Sequence, residues 1–181
     1  MERESMRTKL LYHTDVGALK RALKEKGVTL EPEAVLDHVM YMFEIEDVSR
    51  VTTHQLVRHR VASYDQESQR FSAATREGSV TPPSIQSNRV ALEAYDQGMK
   101  AVYEAYEKMV AAGVPKEDAR YVLPNAIKTK ILMTLSARAL MHLVWQRTAL
   151  QAQWEIRELS NELLRCAREA TPELWNRIIE R

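Results

Sequence analysis

Arg58-His59-Arg60-Val61-Ala62-Ser63-Tyr64-Asp65-Gln66-Glu67-Ser68-Gln69-Arg70 is the densest polar text in this 181-residue chain. Arginine offers a planar fork of donors that matches the oxygens of a phosphate, and Arg58, Arg60 and Arg70 lie within a few residues of His59, Ser63 and Ser68. Gln55 precedes Arg58 by about one helical turn and shares its face. Together with the residues as far as Arg89, which include Pro82-Pro83, the stretch reads as a long and mostly irregular loop. Long loops in compact domains usually carry function. Composition alone also fits a plainer reading, a salt-bridged helix end followed by a solvated polar segment.

The rest of the composition narrows the choice. The five glycines stand at positions 17, 27, 78, 98 and 113. That scatter excludes a Rossmann fingerprint and a Walker-A loop, because both need clustered glycines to bring backbone N–H groups onto phosphate. A bound nucleotide must then be held by side chains. With 26 Lys+Arg against 25 Asp+Glu, the formal net charge is +1. No global field draws in nucleic acid or an acidic membrane, so an anion site must be a local concentration of base. Lys, Ser, Arg or His interrupts each of the longest apolar stretches, and no spanning segment or signal peptide is expected. A single cysteine, Cys166, excludes an intrachain disulfide and fits a reducing, cytoplasmic setting.

The order of elements suggests one helix-rich α+β domain with a small sheet, spanning residues 1–181. Lys9 to Tyr12 reads as a short strand, and Val16 to Lys26 as a helix closed by Gly27. Val39 to Ile45 is rich in strand formers, and Ser49 is placed to cap a helix running to about Val57. Gln86 to Ala112 reads as helical and stops at Gly113; Pro115 opens another helix, which Pro124-Asn125 breaks. Thr129 to Leu135 is either a strand or the lead-in to a helix. Ser136 to Gln146, Ala152 to Ala170 and a short segment after Pro172 complete the helices.

A second cluster lies in Leu135-Ser136-Ala137-Arg138-Ala139-Leu140-Met141-His142-Leu143-Val144-Trp145. Apolar residues surround this helix on nearly every side, which predicts burial. Arg138 and His142 share one face, and a buried arginine needs a partner. Glu155 and Glu158 are the local candidates; a bound anion is the alternative. Arg147 follows the helix directly, and Arg120 precedes Tyr121-Val122-Leu123-Pro124. Cys166 shares a face with Leu159 and Leu163, which points to a core residue.

Taken together, these segments resemble the flavin-dependent thymidylate synthases, the thymidylate synthase complementing protein family. Arg58-His59-Arg60, seven residues and then Ser68 is similar to the family's R-H-R-x7-S signature, and Arg70-Phe71 continues it. Ser49-Arg50 and His54-Gln55-Leu56-Val57 match the helix leading into that signature. Ala137-Arg138-Ala139-Leu140-Met141-His142 and Ala152-Gln153-Trp154-Glu155-Ile156-Arg157 resemble the C-terminal blocks. The likeness runs from about His38 to Arg157.

The resemblance implies a methyltransferase that converts dUMP to dTMP, with methylenetetrahydrofolate as carbon donor and FAD reduced by NADPH. It implies a homotetramer with active sites shared between subunits, no metal, and no nucleic-acid or membrane partner. Arg58, His59, Arg60 and Gln66 would contact FAD, and Ser136, Arg138 and His142 would line the flavin. Gln55, Arg58, Ser68, Gln69 and Arg70 would hold dUMP, Ser68 and Arg70 from a neighbouring chain. Arg120 would add to that site, and Arg147 would both bind dUMP and favour ionisation of its uracil.

Three positions depart from the family pattern. Ala34-Val35-Leu36-Asp37-His38 stands where a Ser/Thr-Pro-x-Glu-His run is usual, Ser136 replaces a common Asn, and Asp65 replaces another beside the phosphates. Two further readings therefore stay open: a paralogue that binds flavin or nucleotide with little dTMP synthesis, and a nucleic-acid-binding module using the Arg58–Arg70 segment.

Overall fold

The computed structural model describes residues 6–31, 33–70 and 78–179, so Phe71 lies outside the described residues. Four strands, β1 (Arg7–His13), β2 (Met40–Ser49), β3 (Ala62–Gln66) and β4 (Lys128–Ser136), form an antiparallel sheet in the order β1-β2-β4-β3. Between and after them come helices α1 (Val16–Glu25), α2 (Val35–His38), α3 (Arg50–Leu56), α4 (Pro83–Gln86) and α5 (Arg89–Ala111). Helix α6 (Lys116–Ala119) and a 3-10 turn (Arg120–Val122) precede β4; α7 (Ala137–Arg147), α8 (Trp154–Ala170) and α9 (Pro172–Ile179) follow it.

The period-2 alternation of β2 and β4 builds the core. Tyr41 faces Leu135, Phe43 faces Met133 and Ile45 faces Ile131 across the central strand pair, and all six side chains are buried. Leu140 and Leu143 of α7 and Ile156, Leu159 and Leu163 of α8 join the same cluster. Each such side chain contributes about 1.5–3 kcal/mol by leaving water. Helix α9 is tied to the sheet through a buried polar contact: Trp175 Nε1 donates to Tyr41 Oη at 2.9 Å, and Tyr41 Oη lies 2.5 Å from Thr171 Oγ1.

Two of the expected boundaries are set by serine caps. Ser49 ends β2 and caps α3, its Oγ accepting from Thr52 N at 3.2 Å. Ser136 ends β4 and caps α7, its Oγ accepting from Ala139 N at 3.2 Å. The strands are antiparallel, so the two helices start from opposite ends of the central pair. Thr129 to Leu135 is thereby settled as strand.

The stretch 58–89, read as mostly irregular, also holds two short elements, β3 and α4, that the reading did not separate out. Ala62, Tyr64 and Gln66 sit opposite Leu135, Met133 and Ile131 of β4 and are half-buried, while Ser63 and Asp65 are exposed. A strand on the sheet edge needs only one apolar face, so its polar outer residues disguised it. Helix α5 packs on α4, α6 and the 3-10 turn, with Met99, Tyr103 and Tyr106 buried. Cys166 is buried in the core beside Leu159 and Leu163, where burial pushes its thiol pKa up.

Candidate active site

Helices α3 and α7 leave opposite ends of the sheet and meet at their C-termini. His59, in the turn after α3, is 6% exposed. Its backbone is held from two sides: its N–H donates to Leu56 O at 3.0 Å, and Tyr64 Oη lies 3.0 Å from its carbonyl and 2.9 Å from that of Leu56. Burial pushes the Tyr64 hydroxyl pKa up to about 12, so it remains a donor. From the end of α7, Arg147 Nε donates to His59 Nε2 at 3.0 Å, and Nη2 donates to the Gln55 carbonyl at 3.4 Å. The His142 ring stands edge-on to His59 at 6.2 Å and tilts against Trp145 at the same centroid distance. Burial, then the Arg147 charge, then His142 lower the His59 pKa to about 4. The result is a neutral imidazole beside a permanent cation, next to the C-terminal carbonyls of two helices that favour positive charge.

One face of α7 opens onto a cavity of about 610 Å³, lined by the capping Ser136, by Arg138, Ala139, Met141, His142 and Trp145 along the helix, and by Asp37 and Val61. Here the expected burial of Arg138 is not found. Its side chain is half-exposed, because Leu140 and Leu143 take the packing face and leave Arg138, His142 and Trp145 on the cavity side. Its partner is neither Glu155 nor Glu158 but Asp37: Nε donates to Oδ1 at 2.5 Å and Nη2 to Oδ2 at 3.0 Å, with Nη2 also donating to the Glu33 carbonyl at 2.6 Å. The Arg138 guanidinium holds the Asp37 carboxyl below its ordinary pKa. Glu155 instead accepts from Ser49 N at 2.7 Å and Ser49 Oγ at 2.5 Å, bracing α8 against the start of α3.

A third group surrounds the loop after β3. Arg70 Nε donates to Glu117 Oε2 at 2.7 Å, and Arg120 Nε donates to the Glu117 carbonyl at 3.0 Å. Ser68 Oγ accepts from Arg70 N at 3.3 Å, and Gln69 is half-buried. Arg50 Nη2 donates to the Glu67 carbonyl at 2.6 Å. Arg58 and Arg60 are exposed on the turn between α3 and β3. Gln66 points to the core side of β3, its Nε2 donating to Thr53 Oγ1 at 2.9 Å.

Thus Gln55, His59, His142 and Arg147 converge, Ser136, Arg138 and His142 share the cavity, and Ser68, Arg70 and Arg120 gather near α6. Asp37, Tyr64, Glu117 and Trp145 were not anticipated. Trp145 stands one turn beyond His142 and was open to that reading, whereas Asp37 meets Arg138 across 101 positions and no local spacing signals it. Among the described residues, no three His, Cys, Asp or Glu side chains are grouped to hold a metal ion, and no helix is long and apolar enough to cross a membrane.

The family model for thymidylate synthase complementing protein matches residues 3–173. The chain belongs to that family. Among its relatives, a flavin-dependent thymidylate synthase of Geobacter sulfurreducens is 42% identical over 156 residues, covering 85% of this chain and 67% of that protein. One from Sulfurisphaera tokodaii is 45% identical over 144 residues, 78% of this chain and 55% of the relative. A third, from Nitratidesulfovibrio vulgaris, is 42% identical over 167 residues, 88% and 66% respectively. The chain therefore spans about half to two thirds of the length of these curated relatives.

Among solved structures, the UMP/dUMP methylase PolB of Streptomyces cacaoi, bound with 5-Br dUMP, aligns with a TM-score of 0.75 at 17% identity, covering 92% of this chain and 91% of that one. Thymidylate synthase X of Helicobacter pylori, with FAD and dUMP, aligns with a TM-score of 0.68 at 20% identity, covering 94% and 97%. Both show that this family member shares their α+β fold with its small antiparallel sheet.

Proposed function

We propose that this chain makes dTMP from dUMP, with methylenetetrahydrofolate as carbon donor and NADPH-reduced FAD as hydride carrier. The observation that carries the reading is Arg147, a cation held by an uncharged partner at the meeting point of α3 and α7, within a chain whose relatives are flavin-dependent thymidylate synthases. The Helicobacter pylori neighbour's FAD and dUMP supply the ligand classes.

The residues present fit FAD. A cavity of about 610 Å³ with a mostly apolar lining suits a ring system. The Arg138 guanidinium in that lining is already neutralised by Asp37, which suits an uncharged heterocycle better than a phosphate. Ser136 and His142 offer polar contacts at its edge, and the exposed Arg58 and Arg60 would reach the pyrophosphate, while His59 between them is turned to Arg147. Gln66 would approach the flavin only by turning from Thr53. Bound FAD would supply the hydride.

This chain's own side chains would do the rest. Ser68, Gln69, Arg70 and Arg120 would hold the dUMP phosphate and sugar, with Arg58 and Gln55 nearer the base. Arg147 beside the pyrimidine favours the N3 anion and so raises electron density at the carbon to be alkylated. No thiol nucleophile is required of Cys166. The exposed Val61, Trp145 and Leu150 are apolar surface for subunit contact, supporting a homotetramer whose sites are shared. Residues 1–181 would act as one domain of a cytoplasmic enzyme.

The test is the absorbance of the purified protein titrated with FAD, followed by dUMP-dependent NADPH oxidation coupled to dTMP formation. A flavin band that shifts on adding dUMP, with product formed, is expected. Absence of flavin binding would overturn the reading, and flavin binding without dTMP would identify the paralogue.

A further inference from the structure

We propose that His59 is a positioning residue for Arg147: a neutral imidazole that accepts the Arg147 Nε–H and thereby aims the terminal guanidinium nitrogens at the pyrimidine. This role rests on Arg147 facing the uracil, as proposed above.

Arginine has five N–H donors and no acceptor. The imidazole nitrogen 3.0 Å from Arg147 Nε therefore carries no proton, and the ring's proton sits on the other nitrogen. The ring has little freedom to choose otherwise. It is buried, and its backbone is fixed by Leu56 and Tyr64 on either side. Among the described residues, the groups facing it are Arg147 and His142 from α7 and Tyr64 from β3, none of which supplies a negative charge to stabilise an imidazolium.

An arginine at the end of a helix has several rotatable bonds, and its fork sweeps a wide arc unless one edge is tied. Tying Nε leaves the Nη1/Nη2 edge as the presenting edge, with Nη2 steered only by a long contact to the Gln55 carbonyl. That edge offers two parallel donors, which match the oxygen and nitrogen lone pairs of a uracil ionised at N3. A carboxylate in the place of His59 would tie the same nitrogen and cancel the charge. A neutral nitrogen ties it and leaves the charge in place.

The test uses 5-fluoro-dUMP bound to the FAD-loaded enzyme, with N3 ionisation followed by ultraviolet absorbance as pH is raised. Wild type and His59→Gln, which keeps an acceptor, should ionise the bound ligand at a lower pH than the free nucleotide. His59→Phe should return the transition to the free nucleotide's pH while the ligand stays bound. A His59→Phe transition equal to that of wild type would overturn the proposal. Failure of wild type itself to bind the probe, or to shift its N3, would overturn the assigned function of the site instead. Should His59→Phe not fold, imidazole nitrogen NMR of the wild type decides: the histidine signal lost in His59→Gln must show one unprotonated nitrogen at neutral pH, and an imidazolium there overturns the proposal.

Discussion

Arg138 and Arg147 stand at the two ends of α7 and are restrained in opposite ways. Arg138 is half-exposed and gripped by a carboxylate through two nitrogens, so that end of the helix is nearly neutral. Arg147 is tied through one nitrogen to an uncharged ring, so its charge is undiminished where water is partly excluded. An arginine's role depends on its counterpart more than on its own position. The paired one shapes a pocket wall; the other exerts a field.

Removing the field should have the largest effect. Arg147→Ala is expected to lower kcat by about 10²–10³-fold, the range for losing one preorganised electrostatic donor, with FAD still bound by absorbance. Turnover near the wild-type rate would show that the cation has no such role. The tether is next, and pH probes it. His59 titrates at about 4 in the folded chain against 6.5 for a free histidine. Between those values the unfolded chain takes up a proton that the folded chain refuses, so stability falls as pH drops from about 6.5 to about 4 and is unaffected by this group above that window. Thermal unfolding should show a drop in Tm across that window that flattens in His59→Gln; an unchanged slope would place the responsible group elsewhere.

The smallest change is expected at the other end of the helix. Asp37→Asn leaves Arg138 without its carboxylate, which should tighten FAD binding by less than about tenfold and steepen its dependence on salt, measured by fluorescence titration. Salt dependence equal to that of wild type would mean that Asp37 does not neutralise Arg138.

Local chemistry made much of the fold legible in advance. Ser49 announced one helix start, Gly27 and Gly113 two helix ends, and the strand formers in Val39 to Ile45 the central strand. Strand β3 was hidden because Ser63, Asp65 and Gln66 read as loop residues until a neighbour supplies the second half of the pattern. The candidate site was legible as a set of residues but not as pairings. Arg147 with His59, and Arg138 with Asp37, join positions far apart in the chain, and apolar text on both faces of α7 concealed that one face is open. Charge partners set by tertiary approach leave no local trace.

The strand order also constrains how the protein comes to be folded. Strands β2 and β4 are the central pair, with Ser49 directly opposite Lys128, yet α3, β3 and the α5 arm all lie between them in sequence. During synthesis β2 can pair with β1 at once, but its other edge stays open until Ser136 has left the ribosome. Closing that pair carries the loop entropy of everything in between, which should make it slower than the pairing of β1 with β2. Amide protection in β4 and on the β4-facing edge of β2 should therefore appear together and later than that between β1 and β2, and the two helix ends that meet at Arg147 can form their contact only after that closure.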